Sequence, residues 1–574
     1  MIIIARKNAN KKQSFLNGAA ILVGATAMVK IIGAIFKIPL SNLIGESGMG
    51  YFQTAYDLYL PIYSLAMAGL PVAVSKMVAD SIARARFADA RKLLNIARKA
   101  FLVTGLTGFF IMLAITYPYI LITDNTVRCI PGLLAIAPSI LFCCMMSSYR
   151  GYYEGLRNMT PTAVSQVIEA IGKLLLGLLL AFICKRIGLA VEYQAAAAII
   201  GITVGSFFGA LYLMLRHRLS GDGVTEIQLL ESPQPESSST LLKSLIKIAI
   251  PVVLGSLVVN VASLVDVTTV QSRLSGVVDG NLETLKEMYP QMLEDLVAEH
   301  GTLDEAIGNI PIYLYGCYKG YAYSVYNLIP TITSALGVSA LPALASVWAS
   351  GNKKGVKVNI ESTLRITALI SMPCGIGMTV LSTPIMHFLY PYRPTGAEIS
   401  GPILAVLGFA AVFAGMAMPL TNMLQGIGKQ NIPLRNIAVG AVLKIIFNYI
   451  LVGIPEINVH GAPVGTAVCY GYIFIMNLYY LIKYSGVKVS LWGSVFKPLI
   501  AALLCGGAAF GVYTAVDTFT NLSLRVSVVA AIVAAGFTYL ISVFLFRILT
   551  KDDILMLPKG QKAVKVLEKL RWIG

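Results

Sequence analysis

GATAMVKIIGAIFKIPLSNLIG, residues Gly24–Gly45, is an apolar run long enough to cross a bilayer, yet it carries Lys30 and Lys37. A helix needs about 20 apolar residues to cross the hydrocarbon core. The two lysines are two helical turns apart, so they share one helix face. A lysine near the centre of a membrane helix costs roughly 2.5–3.5 kcal/mol on insertion scales. A wet cavity or a carboxylate must offset that cost.

The rest of the chain is of the same kind. It has 574 residues, of which 56% are hydrophobic and 13% charged. Its mean hydropathy is +0.74. Soluble domains carry about 25% charged residues. Apolar runs recur along the whole length, which predicts an all-α polytopic membrane protein. We read fourteen transmembrane helices, at 17–42, 51–75, 100–122, 129–149, 161–184, 193–215, 248–270, 313–347, 366–388, 401–425, 436–453, 462–482, 498–516 and 526–546. The basic start at Arg6, Lys7, Lys11 and Lys12 is like a signal-peptide n-region. The apolar run after it is too long and contains lysines, so it reads as an uncleaved first helix.

The formal charge of +17 would suggest nucleic acid in a soluble chain. Here it follows topology instead, and no nucleic-acid partner is expected. With the N-terminus inside, 33 of the 45 Lys and Arg fall in inner segments. That bias predicts both termini in the cytoplasm of a bacterial plasma membrane. The eight cysteines lie in or beside apolar runs without a CxxC pattern, and the four histidines are scattered. No metal site is expected, and the cysteines read as small core hydrophobes.

Two loops stand out. Ser220–Thr240 is polar and rich in Pro and Ser, and reads as a flexible cytoplasmic linker. The outer segment 275–311 is acidic, with Lys286 its lone lysine. Its apolar spacing (Leu282, Leu285, Met288, Met292, Leu293, Leu296) suggests short amphipathic helices lying on the outer face. A solvated cap and a gate or partner contact are the two readings.

The halves repeat. AGLPVAVSKMVA (68–79) matches SALPALASVWAS (339–350) at an offset of 271. YYEGLRNMTPTAVSQVIEAIGKLLL (152–176) matches MLQGIGKQNIPLRNIAVGAVLKIIF (423–447) at the same offset, with Gly155 on Gly426 and Lys173 on Lys444. The first and seventh helices align near 231, so 275–311 is an insertion in the second half. The expected organisation is two six-helix lobes plus two C-terminal helices. An N-terminal lobe covers 1–219 and a linker 220–240. A C-terminal lobe covers 241–484, and 485–574 holds the last two helices and a basic tail. An even helix number per half implies a parallel repeat and an inter-lobe cavity.

Lys30, Lys37, Lys173, Lys319 and Lys444 fall within spans, with Arg273 near the outer end of the seventh. The carboxylates there are Asp57, Glu169 and Asp266. Three carboxylates cannot neutralise six cations, so a net positive cavity is expected, suited to a phosphate or pyrophosphate. Each residue also has a plainer reading. Glu169 and Lys173 are spaced to pair on their own helix. Lys37 and Lys319 are near enough to the outer side to snorkel. Asp57 and Asp266 are counter-ions or coupling-ion ligands. Arg150, Glu154 and Arg157 lie at the cytoplasmic mouth, where they guide an anionic headgroup or simply follow the positive-inside rule. The six tyrosines of YLYGCYKGYAYSVYN (313–327) read as an interfacial belt or as a sugar-stacking wall.

KIIGAIFKIPLSNLIGESGMGYFQ (30–53), AGLPVAVSKMVAD (68–80) and YRGYYEGLRNMTPTAVSQVIEAIGKLLLG (149–177) carry a resemblance. The chain resembles the lipid-linked oligosaccharide flippases of the MOP superfamily, most of all the MurJ-like and SpoVB-like polysaccharide transporters of Gram-positive type. The resemblance implies fourteen helices, a cationic central cavity and a lipid-diphosphate sugar as substrate. The family's basic positions in helix one map to Lys30 and Lys37. They are arginines in most MurJ-like relatives, and lysine keeps the charge without the bidentate fork. The acidic residue expected early in helix two is absent from the matching position, and Asp57 comes later. The implied substrate is lipid II, the undecaprenyl-linked peptidoglycan precursor, which would tie the chain to cell-wall synthesis and cell shape.

The expected mechanism is alternating access without a cofactor. No GxxxxGK[ST] loop is present, so the drive would be an ion gradient (Na+ or H+), the membrane potential or substrate consumption outside. Membrane lipids and the cell-wall synthesis machinery are the expected partners. Flipping of another lipid-linked oligosaccharide, for spore cortex, capsule, teichoic acid or exopolysaccharide, is the alternative. A cation-coupled drug exporter of the same superfamily would have an acidic cavity, which the lysines oppose. A membrane glycosyltransferase would need paired catalytic acids in an outer loop, and those of 275–311 are scattered.

Overall fold

A computed structural model describes residues 15–67, 69–123, 127–520, 522–551 and 553. The basic N-terminal cluster and the tail beyond 553 lie outside the described residues. Among the described residues there is no β-strand, and eleven helices are long and apolar enough to cross a membrane. The helices are α1 (Phe15–Met67), α2 (Gly69–Ala83), α3 (Phe87–Thr123), α4 (Ile130–Gly155), α5 (Thr160–Arg186), α6 (Val191–Ser220) and α7 (Ser238–Val265). There follow α8 (Gln271–Met288), α9 (Pro290–His300), α10 (Leu303–Tyr315), α11 (Leu328–Ala349), α12 (Lys353–Val380) and α13 (Ser382–Leu389). The last five are α14 (Pro394–Gly426), α15 (Asn431–Val452), α16 (Gly461–Ser485), α17 (Lys497–Phe519) and α18 (Leu524–Leu545).

The first two predicted spans are one continuous helix broken by a kink. Inside α1, Gly45 has φ 75° and ψ −170°. Only glycine reaches that left-handed region without a steric penalty. The kink falls in the gap that the sequence leaves between 42 and 51.

The chain divides into two compact units, Met1–Ser272 and Arg273–Gly574. The boundary lies after α7, later than the linker that composition suggests. Within the first unit α5 and α6 form the most extensive helix pair. Glycines bring them together: a Cβ on Gly172 would stand 2.7 Å from the Gly205 Cα, and Gly201 presses as closely on the Gly177 backbone. Without a hydrophobic drive between helices in lipid, such small-residue seams are what let dispersion hold them. In the second unit α14 is central, packing on α11, α12 and α16. Prolines open α4, α5, α9, α14 and α17 in the first turn, where the missing N–H costs nothing.

Two helix ends that the sequence repeat pairs close with the same cap, one that also closes α2, α5, α11 and α18. At the end of α4, Leu156 N–H donates to Tyr152 O, Arg157 N–H to Glu154 O and Asn158 N–H to Tyr153 O. At the end of α14, Ile427, Gly428 and Lys429 donate to Met423, Gln425 and Leu424. Every donor and acceptor differs by the sequence offset of 271. The left-handed residue is Arg157 (φ 59°) in the first copy and Gly428 (φ 77°) in the second.

Ser220–Thr240 is held down rather than free. Asp222 pairs with Arg91, and Arg86 bridges Asp89 at 2.5 Å and Glu236 at 2.9 Å. Glu236 N–H donates to Asp89 Oδ1 at 2.8 Å, Lys92 Nζ to Glu236 O at 2.6 Å, and Ala88 N–H to Ser232 Oγ at 3.0 Å. Thr225 and Gln228 close a capping box on a one-turn helix, Glu226–Leu230. Burial pushes the Asp222 carboxyl up, but the Arg91 guanidinium and the Val224 N–H outweigh it and hold it below the usual carboxylate range. Pro and Ser content describes the chain's local preference. The basic first turns of α3 supply the partners that override it.

The insertion 275–311 forms α9 and parts of α8 and α10. Leu285, Met292 and Leu296 are buried, Leu282 and Leu293 half-buried, and Met288 exposed. Tyr289 Oη donates to Asn458 Oδ1 at 2.9 Å and lies 3.0 Å from His460 Nε2. Burial pushes its phenol up to about 12, so it keeps the proton it donates. The six tyrosines of 313–327 are not an interfacial belt. Tyr313, Tyr315, Tyr318, Tyr321 and Tyr326 are buried, and Tyr323 is half-buried.

Candidate functional site

Five of the twelve predicted site residues, Lys37, Asp57, Lys173, Glu169 and Arg150, lie in two contact networks of the first unit. Lys37 Nζ donates to Gln53 Oε1 at 3.2 Å, and Gln53 Nε2 donates to Asp57 Oδ1 at 2.9 Å. Lys37 and Gln53 are 16 residues apart. In a straight helix that separation would be about 24 Å. The bend at Gly45 folds the two arms together and makes the chain Lys37–Gln53–Asp57. Asp57 is buried and Lys37 half-buried. Lys30 is exposed, on the same helix face as Lys37.

Lys173 enters from α5 between aromatic rings of both arms. Its Nζ lies 5.0 Å from the Phe36 ring centroid and 5.1 Å from that of Tyr56. Tyr56 belongs to a ladder on α1. Phe52 and Tyr56 stack at 6.1 Å, Tyr56 meets Tyr59 at 6.0 Å, and Tyr59 meets Tyr63 at 5.1 Å. Spacings of three and four residues put these rings on one face. The ladder stands one residue from Gln53 and Asp57, so an aromatic wall and a polar chain run side by side.

Glu169 does not pair with Lys173 on its own helix. Its Oε2 accepts from Arg150 at 3.0 Å and its Oε1 from Ser206 Oγ at 3.3 Å. Arg150 Nε donates to Ser165 Oγ at 2.9 Å. Cys143 Sγ links Ser206 to Tyr59 at 3.6 and 3.7 Å. The favourable sequence spacing loses to a buried guanidinium from α4, which makes a single charge-assisted hydrogen bond to Glu169 Oε2 while its Nε is held by Ser165. Arg150 is therefore an internal counter-ion, although the sequence groups it with Glu154 and Arg157 at the mouth. Glu154 is half-buried near the end of α4, and Arg157 is the exposed left-handed residue just after it.

Of the other predicted residues, Asp266 lies in the first unit, and Lys319, Lys444 and Arg273 lie in the second. Asp266 is fully buried and opens a π-turn at Asp266–Val270. The next residue, Gln271, donates to Thr54 Oγ1 at 2.6 Å and accepts from Tyr119 Oη at 3.1 Å. In the second unit Lys319 sits in another π-turn, Gly316–Ala322, with its Nζ 4.1 Å from the Tyr323 ring centroid. Lys444, the repeat partner of Lys173, is buried on α15. Arg273 stacks on Tyr449 at 4.4 Å and donates to its carbonyl at 3.1 Å. π-turns cluster at functional sites because the extra residue re-aims a side chain.

Sequence reading missed Phe36, Gln53, Tyr56, Ser165 and Ser206. The spacing of Phe52, Tyr56, Tyr59 and Tyr63 and the four-residue step from Gln53 to Asp57 were the available signals. Among the described residues, no group of His, Cys, Asp and Glu is arranged to hold a metal ion.

The family profile described as polysaccharide biosynthesis protein matches residues 15–348, more than half of the chain. The chain belongs to the polysaccharide biosynthesis protein family. A second profile, described as lipid II flippase MurJ, matches residues 318–548. Among relatives of this family, Stage V sporulation protein B of Bacillus subtilis is 25% identical over 95% of this chain and 98% of its own. Lipid II flippase MurJ of the same organism is 24% identical over 85% of this chain and 87% of its own. A solved structure of lipid II flippase MurJ in an inward closed conformation superposes with a TM-score of 0.62 at 15% identity, over 91% of this chain and 97% of that one. The two profiles and these relatives support a MurJ-like and SpoVB-like member of the family, as the sequence motifs imply. This member is a multi-pass membrane transporter and not an enzyme.

Proposed function

We propose that the chain flips an undecaprenyl-diphosphate-linked sugar, lipid II first among the candidates, from the inner to the outer leaflet by alternating access. The observation that carries the reading is the arrangement around the α1 kink. Lys173 lies between Phe36 and Tyr56, beside the Lys37–Gln53–Asp57 chain. Glu169 makes its ion pair with Arg150 and not with the lysines. An anionic diphosphate matches the positive charge, and the aromatic ladder offers faces on which a sugar can stack. Lys30, Lys37 and Lys173 in the first unit are the proposed diphosphate ligands, and Lys319, Lys444 and Arg273, in the second, are proposed as further substrate-binding residues. Asp57 and Asp266 would serve as counter-ions or hold a coupling Na+ or H+. The proposed topology has fourteen spans, with Gly24–Ala83 counting as two and both termini in the cytoplasm. The proposed partners beyond the substrate are membrane lipids and the cell-wall machinery.

A second reading, flipping of another lipid-linked oligosaccharide, is favoured by the near-equal identity to the sporulation protein and to MurJ. Reconstituted vesicles carrying fluorescent lipid II test the first. Lys173→Ala and Lys30→Ala should leave expression intact and abolish translocation. Full transport by both variants, or no transport of lipid II by the native chain, would refute the lipid II reading. Translocation of a different undecaprenyl-diphosphate sugar by the native chain would establish the second.

A further inference from the structure

A cavity of about 410 Å³ opens in the first unit among α3, α4 and α6, away from the α1 kink. Its polar side carries Asn95, Arg98, Lys99 and Ser148. Its apolar side is Leu102 with Met145 and Met214. Tyr149 lies between the two, with the Arg98 guanidinium 5.5 Å from its ring centroid. We propose that this is a binding site for an anionic phospholipid of the cytoplasmic leaflet, holding the headgroup phosphate at Arg98 and Lys99 and the start of an acyl chain against Leu102.

The level of the cavity supports a lipid. α3 has 37 residues, about 55 Å of helix, against a hydrocarbon core of about 30 Å. Its charges stop at Lys99, and from Ala100 to Thr123 none occurs. Arg98 and Lys99 thus stand where the helix passes from water into hydrocarbon. Leu102, Val103 and Leu106 directly after them are exposed, as lipid-facing residues are. A basic pocket at that depth between membrane helices matches an anionic headgroup.

Charge balance supports the same occupant. The nearby acids are already engaged: Asp89 with Arg86, and Asp222 with Arg91. Among the described residues no carboxylate lies within ion-pair distance of Arg98 or Lys99. Their charge is therefore left for a ligand. The apolar half of the cavity gives a free phosphate nothing to bind, whereas an acyl chain fills it.

The test uses the full chain in mild detergent with equal amounts of phosphatidylglycerol and phosphatidylcholine, with retained lipid counted by native mass spectrometry. Phosphatidylglycerol should be retained in preference. Arg98→Ala with Lys99→Ala should weaken that retention roughly five-fold per cation removed, while Arg98→Lys with Lys99→Arg should keep it. Lys99→Gln alone, at an exposed position, gives the same direction if the double variant does not fold. Equal retention of phosphatidylcholine, unchanged retention by the alanine variants, or displacement by millimolar inorganic phosphate would each overturn the proposal. The readout needs no transport, so it stands or falls apart from the flippase reading.

Discussion

Removing Glu169 should destabilise the protein more than removing Glu169 and Arg150 together. The Arg150 side chain is 4% exposed and that of Glu169 22%. Breaking a buried pair from one side costs about 3–5 kcal/mol, because a charge is left without a partner. The partial exposure of Glu169 puts the expected cost of Glu169→Leu or Arg150→Met at the low end, about 3 kcal/mol each. Glu169→Leu also removes the acceptor of the Ser206 hydroxyl, whereas Ser165, which loses the Arg150 donor in Arg150→Met, still donates to Thr162 O. The double variant Arg150→Met, Glu169→Leu removes both charges and keeps apolar volume between α4 and α5. Such replacements are often neutral or stabilising, and with the Ser206 hydroxyl to rehouse we expect a loss of about 1 kcal/mol. The measurement is reversible unfolding in mixed micelles, followed by circular dichroism, for the native chain, two singles and the double. A double-variant loss equal to the sum of the singles within about 0.5 kcal/mol would refute the pairing. It would return Glu169 to the neighbourhood of Lys173.

Gln53→Leu should cost about 1–3 kcal/mol and lower translocation, since it removes two hydrogen bonds, from Lys37 and to Asp57. Equal translocation by Gln53→Leu and the native chain would count against the chain of contacts. Gly45→Ala should destabilise by about 1–2 kcal/mol and lower translocation with it, read in the same unfolding and vesicle assays. Arg157→Gly should stabilise by about 0.5–1 kcal/mol, because the repeat places Gly428 in the equivalent left-handed position. A lower unfolding midpoint would contradict it. The Asp222 carboxyl lies below its ordinary value of 3.8 in the folded chain. A depressed folded value means the Asp222–Arg91 contact contributes fully above the unfolded value and is lost as pH falls through the folded one. Proteolysis within 223–235 should therefore be slow at neutral pH and accelerate in strong acid, while Asp222→Asn should be cut quickly at both. Equal rates for Asp222→Asn and the native chain at neutral pH would show that the contact does not hold the segment.

The class of molecule was legible in the linear chain. Transfer of a segment into hydrocarbon sums over its residues, so windows of composition and length suffice. The 271-residue repeat was equally legible, and the matching caps at Arg157 and Gly428 are consistent with it. The amphipathic helices of 275–311 followed from their apolar spacing. The partners of the charges were not legible. Lys37 meets Gln53 only because Gly45 bends α1, and Glu169 turns to Arg150 only because α4 packs beside α5. The same holds for Ser220–Thr240, whose acids find Arg86 and Arg91 at the start of α3, and for the tyrosines of 313–327, which sequence reads as an interfacial belt or a sugar-stacking wall and packing largely buries. Ion pairs and hydrogen bonds depend on separations of a few ångströms between residues distant in sequence. Those separations are set by kinks, crossing angles and glycine seams, which the tertiary structure alone decides.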